Sequence, residues 1–570
     1  MIMKSSFPAF FCLCIVSHVL YANDNITFES KRLPAINSKL SPSLLELNQT
    51  ETKSLSTQRH VVPLHTHLTI KQPTFLQEKR VPDLLITAQQ KFPLIKAPAP
   101  LITFEGANGN DIDTVFGSTS LPSDVNGDVG PSHYVQMVQG LYQIFDKQTG
   151  DALIKPLKLS SLFAAAGMKG PCATEDEGDP IVLYDALATR WLLSQFNFKR
   201  QKNGIDKPPY HECIAISTTD DPTGSYYLYD TIIPNNNQGD YPKFGVWKDG
   251  YYMTIEQFKN HQKNGSAVMV FDRQRMLQGQ SAGVNYHAIV SPGLSALLPS
   301  DRDGDSPPAG TPNYVIGIDI NDTGTFQTLR IFEVKADFSK AMTTGSIKES
   351  PSLNSAFYNP EVCNGSQICI PQPSGFNNLQ LQLNAVSDRL MYRLQYRYFA
   401  QNCPVDNTLK ACGTLVFNHT IRGNKKGEAA VRWYILKQNT ETQAWSIAQQ
   451  GTFAPDSTSR WMGSAALNKR GDLAIGYSMS SRSLYPSIGY AGRLVDDAPN
   501  RLSMEGLLYA GQGAQVDPGA RWGDYTMLSV DPVDECTFWY TNQYYANNED
   551  GYYGLWRTRI GSFKLSDDCF

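Results

Sequence analysis

Charge is the first thing this chain has little of. Asp, Glu, Lys and Arg make up 18% of its 570 residues, and 50 Lys and Arg face 54 Asp and Glu, a formal net charge of −4. A nucleic-acid binder carries a basic excess to neutralise phosphate, so that partner class is excluded. Long amphipathic helical patterns are missing as well. Ser160–Met168 reads as one short helical turn, and a fold with a helix after every strand is excluded. No Cys-x-x-Cys pair occurs and the nine His are scattered, which removes a structural zinc site. No phosphate-cradling glycine loop is present. Beyond the first two dozen residues no run is apolar enough to cross a bilayer, so no transmembrane segment is expected in the mature chain.

What is plentiful points to strands. Gly (43), Pro (34) and Tyr (28) suit short strands joined by tight turns, and an all-β protein is expected. Lys4 followed by the apolar Phe7–Leu20 and the small Ala22 reads as a signal peptide over residues 1–22. Without Cys12 and Cys14, eight cysteines remain, an even set that fits an exported, oxidising setting. Pairing neighbours gives Cys172–Cys213, Cys363–Cys369, Cys403–Cys412 and Cys536–Cys569. The compartment is then extracellular or periplasmic. Residues 23–102 are rich in Ser, Thr, Lys, Gln and Pro and end in Lys96-Ala-Pro-Ala-Pro100, which reads as a flexible, disordered leader.

From Thr103 to the C-terminus at residue 570, strand-like runs such as Leu141-Tyr-Gln-Ile-Phe, Trp191-Leu-Leu-Ser-Gln-Phe and Val431-Arg-Trp-Tyr-Ile-Leu recur between turn clusters. Punctuation recurs with them. Gly-Asp stands at 127–128, 178–179, 239–240 and 523–524, and Arg-Trp at 190–191, 432–433, 460–461 and 521–522. Fixed punctuation ahead of repeated strand groups is the mark of blades around an axis. The grouping predicts a β-propeller over residues 103–570 of about seven blades at ~40–50 residues or more each, with six or eight left open.

Between Leu121 and Phe563 the chain resembles a family of secreted bacterial proteins. The matching phrases are Gly178-Asp-Pro-Ile-Val-Leu-Tyr-Asp, Asp240-Tyr-Pro-Lys-Phe-Gly-Val-Trp, Arg521-Trp-Gly-Asp-Tyr and Asp531-Pro-Val-Asp-Glu-Cys-Thr-Phe-Trp-Tyr. The resemblance implies a propeller similar, by analogy, to the sialidase type. It implies little about function.

Four features carry candidate chemistry. If each Gly-Asp opens an innermost strand, Asp128, Asp179, Asp240 and Asp524 crowd one mouth of the channel, where Ca²⁺ would relieve their repulsion. The plainer reading, in which Gly bends the backbone and Asp caps the turn, is preferred. Arg190, Arg432, Arg460 and Arg521 could grip an acidic ligand, with Tyr525 and Glu256 as a sialidase-like nucleophile pair and Asp179 or Asp524 as acid. No Ser-x-Asp-x-Gly-x-Thr-Trp box accompanies them, and packing of Arg on Trp is preferred. Asp301-Arg-Asp-Gly-Asp305 starts like a calcium loop but has Pro312 where the final Glu belongs, so an acidic turn is expected. The doublets Tyr226-Tyr227, Tyr251-Tyr252, Tyr544-Tyr545 and Tyr552-Tyr553 put one ring on each strand face, and the outward rings are candidates for stacking on sugars. Two functions stay open. A monomeric binding propeller for an extracellular glycan or protein is preferred; a glycan-processing hydrolase or lyase is the alternative.

Overall fold

The computed structural model describes residues 26–49, 58–61, 83–200, 206–291, 293–294, 296–319, 326–340, 343–364, 366–423 and 427–569. The signal peptide expected at 1–22 lies outside them. The fold is all-β, with 50% strand and 9% helix. Antiparallel strand groups follow one another along the chain, the fourth and fifth joined in one nine-stranded sheet. Their first strands are β1 (Asn126–Val129), β2 (Gly178–Asp185), β3 (Gln238–Trp247), β4 (Leu298–Gly304), β5 (Leu390–Phe399), β6 (Ser459–Leu467) and β7 (Met527–Val530). Each touches the next, and β7 touches β1, so the seven close into a ring. Sheets radiating from such a ring make a propeller-like fold.

The ring is held by two kinds of contact. Apolar side chains fill the space between successive sheets. Val416, Trp433 and Ile435 of the fifth meet Ala465, Leu473 and Ile475 of the sixth, and Ala474 and Ile488 of the sixth meet Leu528 and Phe538 of the seventh. Val129, Tyr134 and Phe145 of the first sheet pack with Trp539 and Ile560 of the seventh, which closes the circle. Each fully buried Val, Leu, Ile or Phe among them contributes ~1.5–3 kcal/mol. Nearer the axis, polar side chains satisfy the neighbouring strand's backbone. The Val182 N–H donates to Asn126 Oδ1 at 2.7 Å, Tyr184 N–H to Asp128 Oδ2 at 2.8 Å and Val246 N–H to Asp301 Oδ1 at 2.9 Å. A buried N–H without such a partner would cost about 1–3 kcal/mol. β4 and β5 pair directly, in parallel, from Ser300–Leu394 to Gly304–Tyr398.

The seventh sheet takes its outer strand from the front of the chain. Ile102–Glu105 pairs with Arg557–Phe563. Disulfides join Cys172 to Cys213, Cys363 to Cys369, Cys403 to Cys412 and Cys536 to Cys569. The last ties the C-terminal tail to the seventh sheet.

The flexible leader expected from composition is corrected wherever it is described. Thr27–Ile36 adds a fifth strand to the third sheet and Ser38–Leu40 a fifth to the second. Leu84–Gln90 is a helix capped by Asp83, and Ile95–Lys96 adds to the sixth sheet. Most side chains of Thr27–Ile36 are exposed. The strand is held by its ladder of backbone hydrogen bonds, which a count of apolar residues does not register. Residues 50–57 and 62–82 lie outside the described residues.

Candidate functional site

The chain enters six innermost strands through a residue with left-handed backbone. These are Asp124 (φ 46°), Asp179 (47°), Tyr241 (54°), Val386 (44°), Met462 (52°) and Asp524 (62°). Non-glycine residues adopt this conformation rarely, Asp more readily than most. The strand register slips at the same places, between Gly178 and Ile181, Asp240 and Lys243, and Trp461 and Ser464. A bulge re-aims the side chain beside it.

Asp124, Asp179, Asp240 and Asp524 lie within electrostatic reach of one another and of Lys243, Arg389 and Arg521. Lys243 is fully buried, its Nζ 3.6 Å from the ring centre of Tyr241 and 3.9 Å from that of Tyr525. Arg389 bonds Asp388 at 3.0 Å, approaches Glu256 at 3.8 Å and lies 4.7 Å from the Tyr241 ring centre. Glu256 also meets Lys263 at 3.0 Å. Arg521 bonds Asp524. Asp179 Oδ2 accepts the Tyr241 N–H at 3.1 Å, and Asp124 Oδ2 accepts from Gln139 Nε2 at 2.7 Å. The cluster is closed in but not sealed, because Asp179 and Asp524 keep 8% and 6% exposure and Asp240 is half-buried.

Four Asp carboxyls against three shared cations leave a surplus of negative charge, and burial makes that surplus expensive. Protons take it up. Burial, with Asp240 beside it and Lys243 opposing, raises Asp179 to about 7. Burial, then Asp179 and Asp524, pushes Asp124 well above the usual carboxylate range. Burial brings Lys243 down to about 8, although Asp179 and Asp124 favour its charge. The mouth therefore holds, near neutral pH, a carboxyl close to its own midpoint beside a lysine whose grip on its proton is weakened. Asp124 Oδ1, Asp524 Oδ1 and Arg521 Nε and Nη1 are buried without a hydrogen-bond partner among the described residues. That is capacity for a ligand.

Asp179, Glu256, Asp524 and Tyr525, the candidate catalytic set, all border this cluster. Tyr525 is a poor nucleophile there. Its hydroxyl donates to Pro180 O at 3.1 Å, and burial, Asp179 and Asp124 push its phenol well up. The metal set loses Asp128, whose carboxylate accepts the Val129 and Tyr184 N–H groups. The remaining Asp179, Asp240 and Asp524 already face Lys243, Arg389 and Arg521, a donor set that does not fit Ca²⁺. Asp301–Asp305 is no calcium loop either. Asp301 and Asp303 sit in β4 and pair with Arg393, and Asp305 accepts the Ala400 N–H at 3.0 Å.

The four arginines do not converge. Arg190 donates to Ala188 O and Thr189 O; Arg432 pairs with Asp83 at 2.8 Å over the Tyr358 ring. Arg460 pairs with Asp456 at 2.8 Å and Glu505 at 2.7 Å over Phe453, and Arg521 alone reaches the mouth. Trp191, Trp433, Trp461 and Trp522 are core residues with 0% exposure. Sequence reasoning missed Asp124, Lys243 and Arg389, which carry no Gly-Asp or Arg-Trp tag. Asp240-Tyr-Pro-Lys243 set against Gly178-Asp-Pro-Ile181 holds the signal, a shared Pro one residue past the left-handed position. A Gly-x-Ser-x-Gly string, Gly279–Gly283, was also passed over. It follows the short helix Arg273–Met276 and leads into the strand Ala282–Val290, the reverse of a nucleophile elbow's strand-to-helix order.

No family model matches the chain, and no curated protein matches it. Among solved structures it is similar to a PL25 ulvan lyase, with 9% identity over 83% of this chain and 96% of that one and a TM-score of 0.33. A GH43 β-1,3-galactosidase matches at 10% identity over 83% and 92%, TM-score 0.27, and an endo-arabinase from Bacteroides thetaiotaomicron at 11% over 59% and 95%, TM-score 0.26. Similarity at this level carries no argument about what this chain does.

Proposed function

We propose that the protein is a seven-bladed propeller, exported to an oxidising compartment, that cleaves a glycan at the mouth lined by Asp124, Asp179, Asp240 and Asp524. The reading rests on one observation, the paired presence of a carboxyl raised to about 7 and a lysine lowered to about 8 in one nearly closed cluster. Groups whose environments move them towards the working pH suit general acid and base work. Asp179 donates its proton to the departing glycosidic oxygen. Asp524, ion-paired with Arg521, faces the positive charge that develops on the sugar or takes the proton of the attacking water. Lys243 sets the charge around both.

A recognition propeller for an extracellular glycan or protein is the second reading. It is favoured by the ion pair between Arg521 and Asp524, which already engages part of the charge that a reacting sugar would need. Turnover on sialylated, neutral and acidic glycans, read by mass spectrometry with Asp179→Asn and Asp524→Asn in parallel, separates the two. Product that vanishes in both variants supports cleavage at the mouth. No product from any glycan overturns it in favour of recognition.

A further inference from the structure

The added strand Thr27–Ile36 follows the strand Ala282–Val290 residue for residue as far as Leu33, opposite Val284. There the register slips. Pro34 and Ala35 together face Gly283 before Ile36 meets Ala282. Proline has no N–H to give to the ladder, and two residues against one make a β-bulge that bends the strand. Beside the bulge lies a cavity of ≈ 510 Å³, walled by residues 33–35, by Asp272 and Arg275, and by residues 338–340. Small-molecule sites fall in the same size range, ~300–1,000 Å³.

Arg32 has a built seat in this cavity. Its Nη1 donates to Asn285 Oδ1 at 3.2 Å, and its guanidinium lies 4.6 Å from the ring centre of Phe338. Asn285 is fully buried and is itself fixed by donating to Thr343 O at 3.1 Å. A Cβ on residue 283 would lie 1.6 Å from Arg32 Nη2, so glycine there is what admits the guanidinium. Ser281, two residues earlier, also lines the cavity. Arg275 enters from the helix Arg273–Met276, its Nε donating to Ser281 O at 2.6 Å, and the exposed Lys340 completes the cationic group.

The charges around the cavity do not balance. Among the described lining residues Asp272 carries the one carboxylate, and its Oδ1 accepts the Arg275 N–H at 3.2 Å. Asp337, next to the lining, accepts the Ser339 N–H at 2.8 Å and the Ser339 hydroxyl at 2.6 Å. Three cations against these two carboxylates leave one positive charge over. Among the described residues none of Arg32, Arg275 and Lys340 is in an ion pair. Burial pulls Arg32 below the usual guanidinium value, although Asp272 and Asp337 oppose it. A partly buried cation with too little negative charge around it attracts an anion, and guanidinium matches a planar or tetrahedral oxyanion through paired N–H donors. We propose that the cavity binds a small organic anion, its carboxylate or sulfate between Arg32, Arg275 and Lys340 and its body against Phe338 and Pro34. This site is separate from the channel mouth and does not rest on the cleavage reading.

Calorimetry on the full chain tests it, with ionic strength held constant by chloride. The probes are glucuronate, glucose 6-sulfate, inorganic sulfate and neutral glucose. Glucuronate or glucose 6-sulfate is expected to bind saturably at one site per chain, and glucose is not. Arg32→Gln and Arg275→Gln should each weaken that binding about tenfold, the loss of a charged hydrogen bond. Arg275 and Lys340 are exposed, so Arg275→Gln with Lys340→Gln should leave the circular dichroism spectrum unchanged while binding falls further. No saturable binding of any of the three anions, binding of glucose as tight as theirs, or unaltered affinity in the Arg275→Gln, Lys340→Gln protein overturns the site. Inorganic sulfate binding as tightly as the sugar acids overturns the organic body of the ligand.

Discussion

Asp179→Asn separates a working acid from a structural carboxylate, because the two respond to pH in opposite senses. In the folded protein Asp179 keeps its proton until about pH 7; in the unfolded chain it releases it near 3.8. Between those values the folded state binds more protons, so this group's share of the stability falls as pH rises from about 4 to about 7 and is level above that. A gap of about three pH units at ~1.36 kcal/mol each sets an upper value of ~4 kcal/mol. Neighbouring Asp124 and Lys243 re-titrate when the charge is removed, so the expected difference is about half to all of it. Asn stays neutral, and its Oδ1 still accepts the Tyr241 N–H that Asp179 accepts at 3.1 Å. The variant should therefore match the unaltered protein in urea unfolding at about pH 3.5, below both values, and exceed it at pH 8, by about 2–4 kcal/mol with m unchanged. It should also have lost turnover at both. A site whose best acid costs stability when ionised shows the trade-off expected of function. If the variant is less stable at pH 8, or differs equally at both pH values, Asp179 is an ionised structural group and the acid assignment fails.

Three further outcomes follow from other parts of the molecule. Lys243→Met removes the cation that favours ionised Asp179 and Asp124, so the pH above which turnover declines should move upwards; an unmoved pH profile would show that Lys243 does not act on the acid. Asp185→Ala breaks a buried pair with Arg273, bonded at 2.6 and 2.8 Å and joined by Tyr251 OH at 2.8 Å, and should cost about 3–5 kcal/mol in urea unfolding. Replacing both partners by Leu should recover much of that, and no recovery would mean that the pair is worth more than apolar packing there. Deleting residues 26–49 uncovers the edges at Ala282–Val290 and Tyr226–Ile232, and light scattering should then show self-association with the ring still folded; a monodisperse monomer would mean those edges need no cover.

The repeating strand groups were legible because the propeller repeats its local problem in each sheet. Trp191 and Trp433 stand in strands that must be buried on both faces, and such runs are visible in one dimension. Residues 27–40 were not legible as strands. Their side chains are largely exposed and they are held by backbone bonding to partners some 190–260 residues away, which no local composition encodes. The arginines misled for a related reason. Arg-Trp repeats because Trp packs between sheets, and each Arg then takes whatever carboxylate or carbonyl its own surroundings offer, Asp83 for Arg432 and Glu505 for Arg460.

The Gly-Asp punctuation contains two different devices under one spelling. In Gly127-Asp128 the Asp lies inside β1 and bonds the neighbouring strand through the Tyr184 N–H. In Gly178-Asp179 and Gly523-Asp524 the Asp is itself the left-handed residue before the strand settles into register. The first sheet fills that place with Asp124, four positions ahead of Asp128, and the third fills it with Tyr241, one position after Asp240. Aligned on the dipeptide, the four carboxylates look equivalent. Aligned on the backbone, Asp124 joins Asp179 and Asp524, and Asp128 leaves. The left-handed position is what the ring supplies repeatedly, and the residue placed on it is free to differ between sheets. Three carboxyls, a tyrosine, a valine and a methionine occupy those positions. Charge at the left-handed positions is thus confined to the first, second and seventh sheets, which are neighbours, and an asymmetric site arises on a repeated frame.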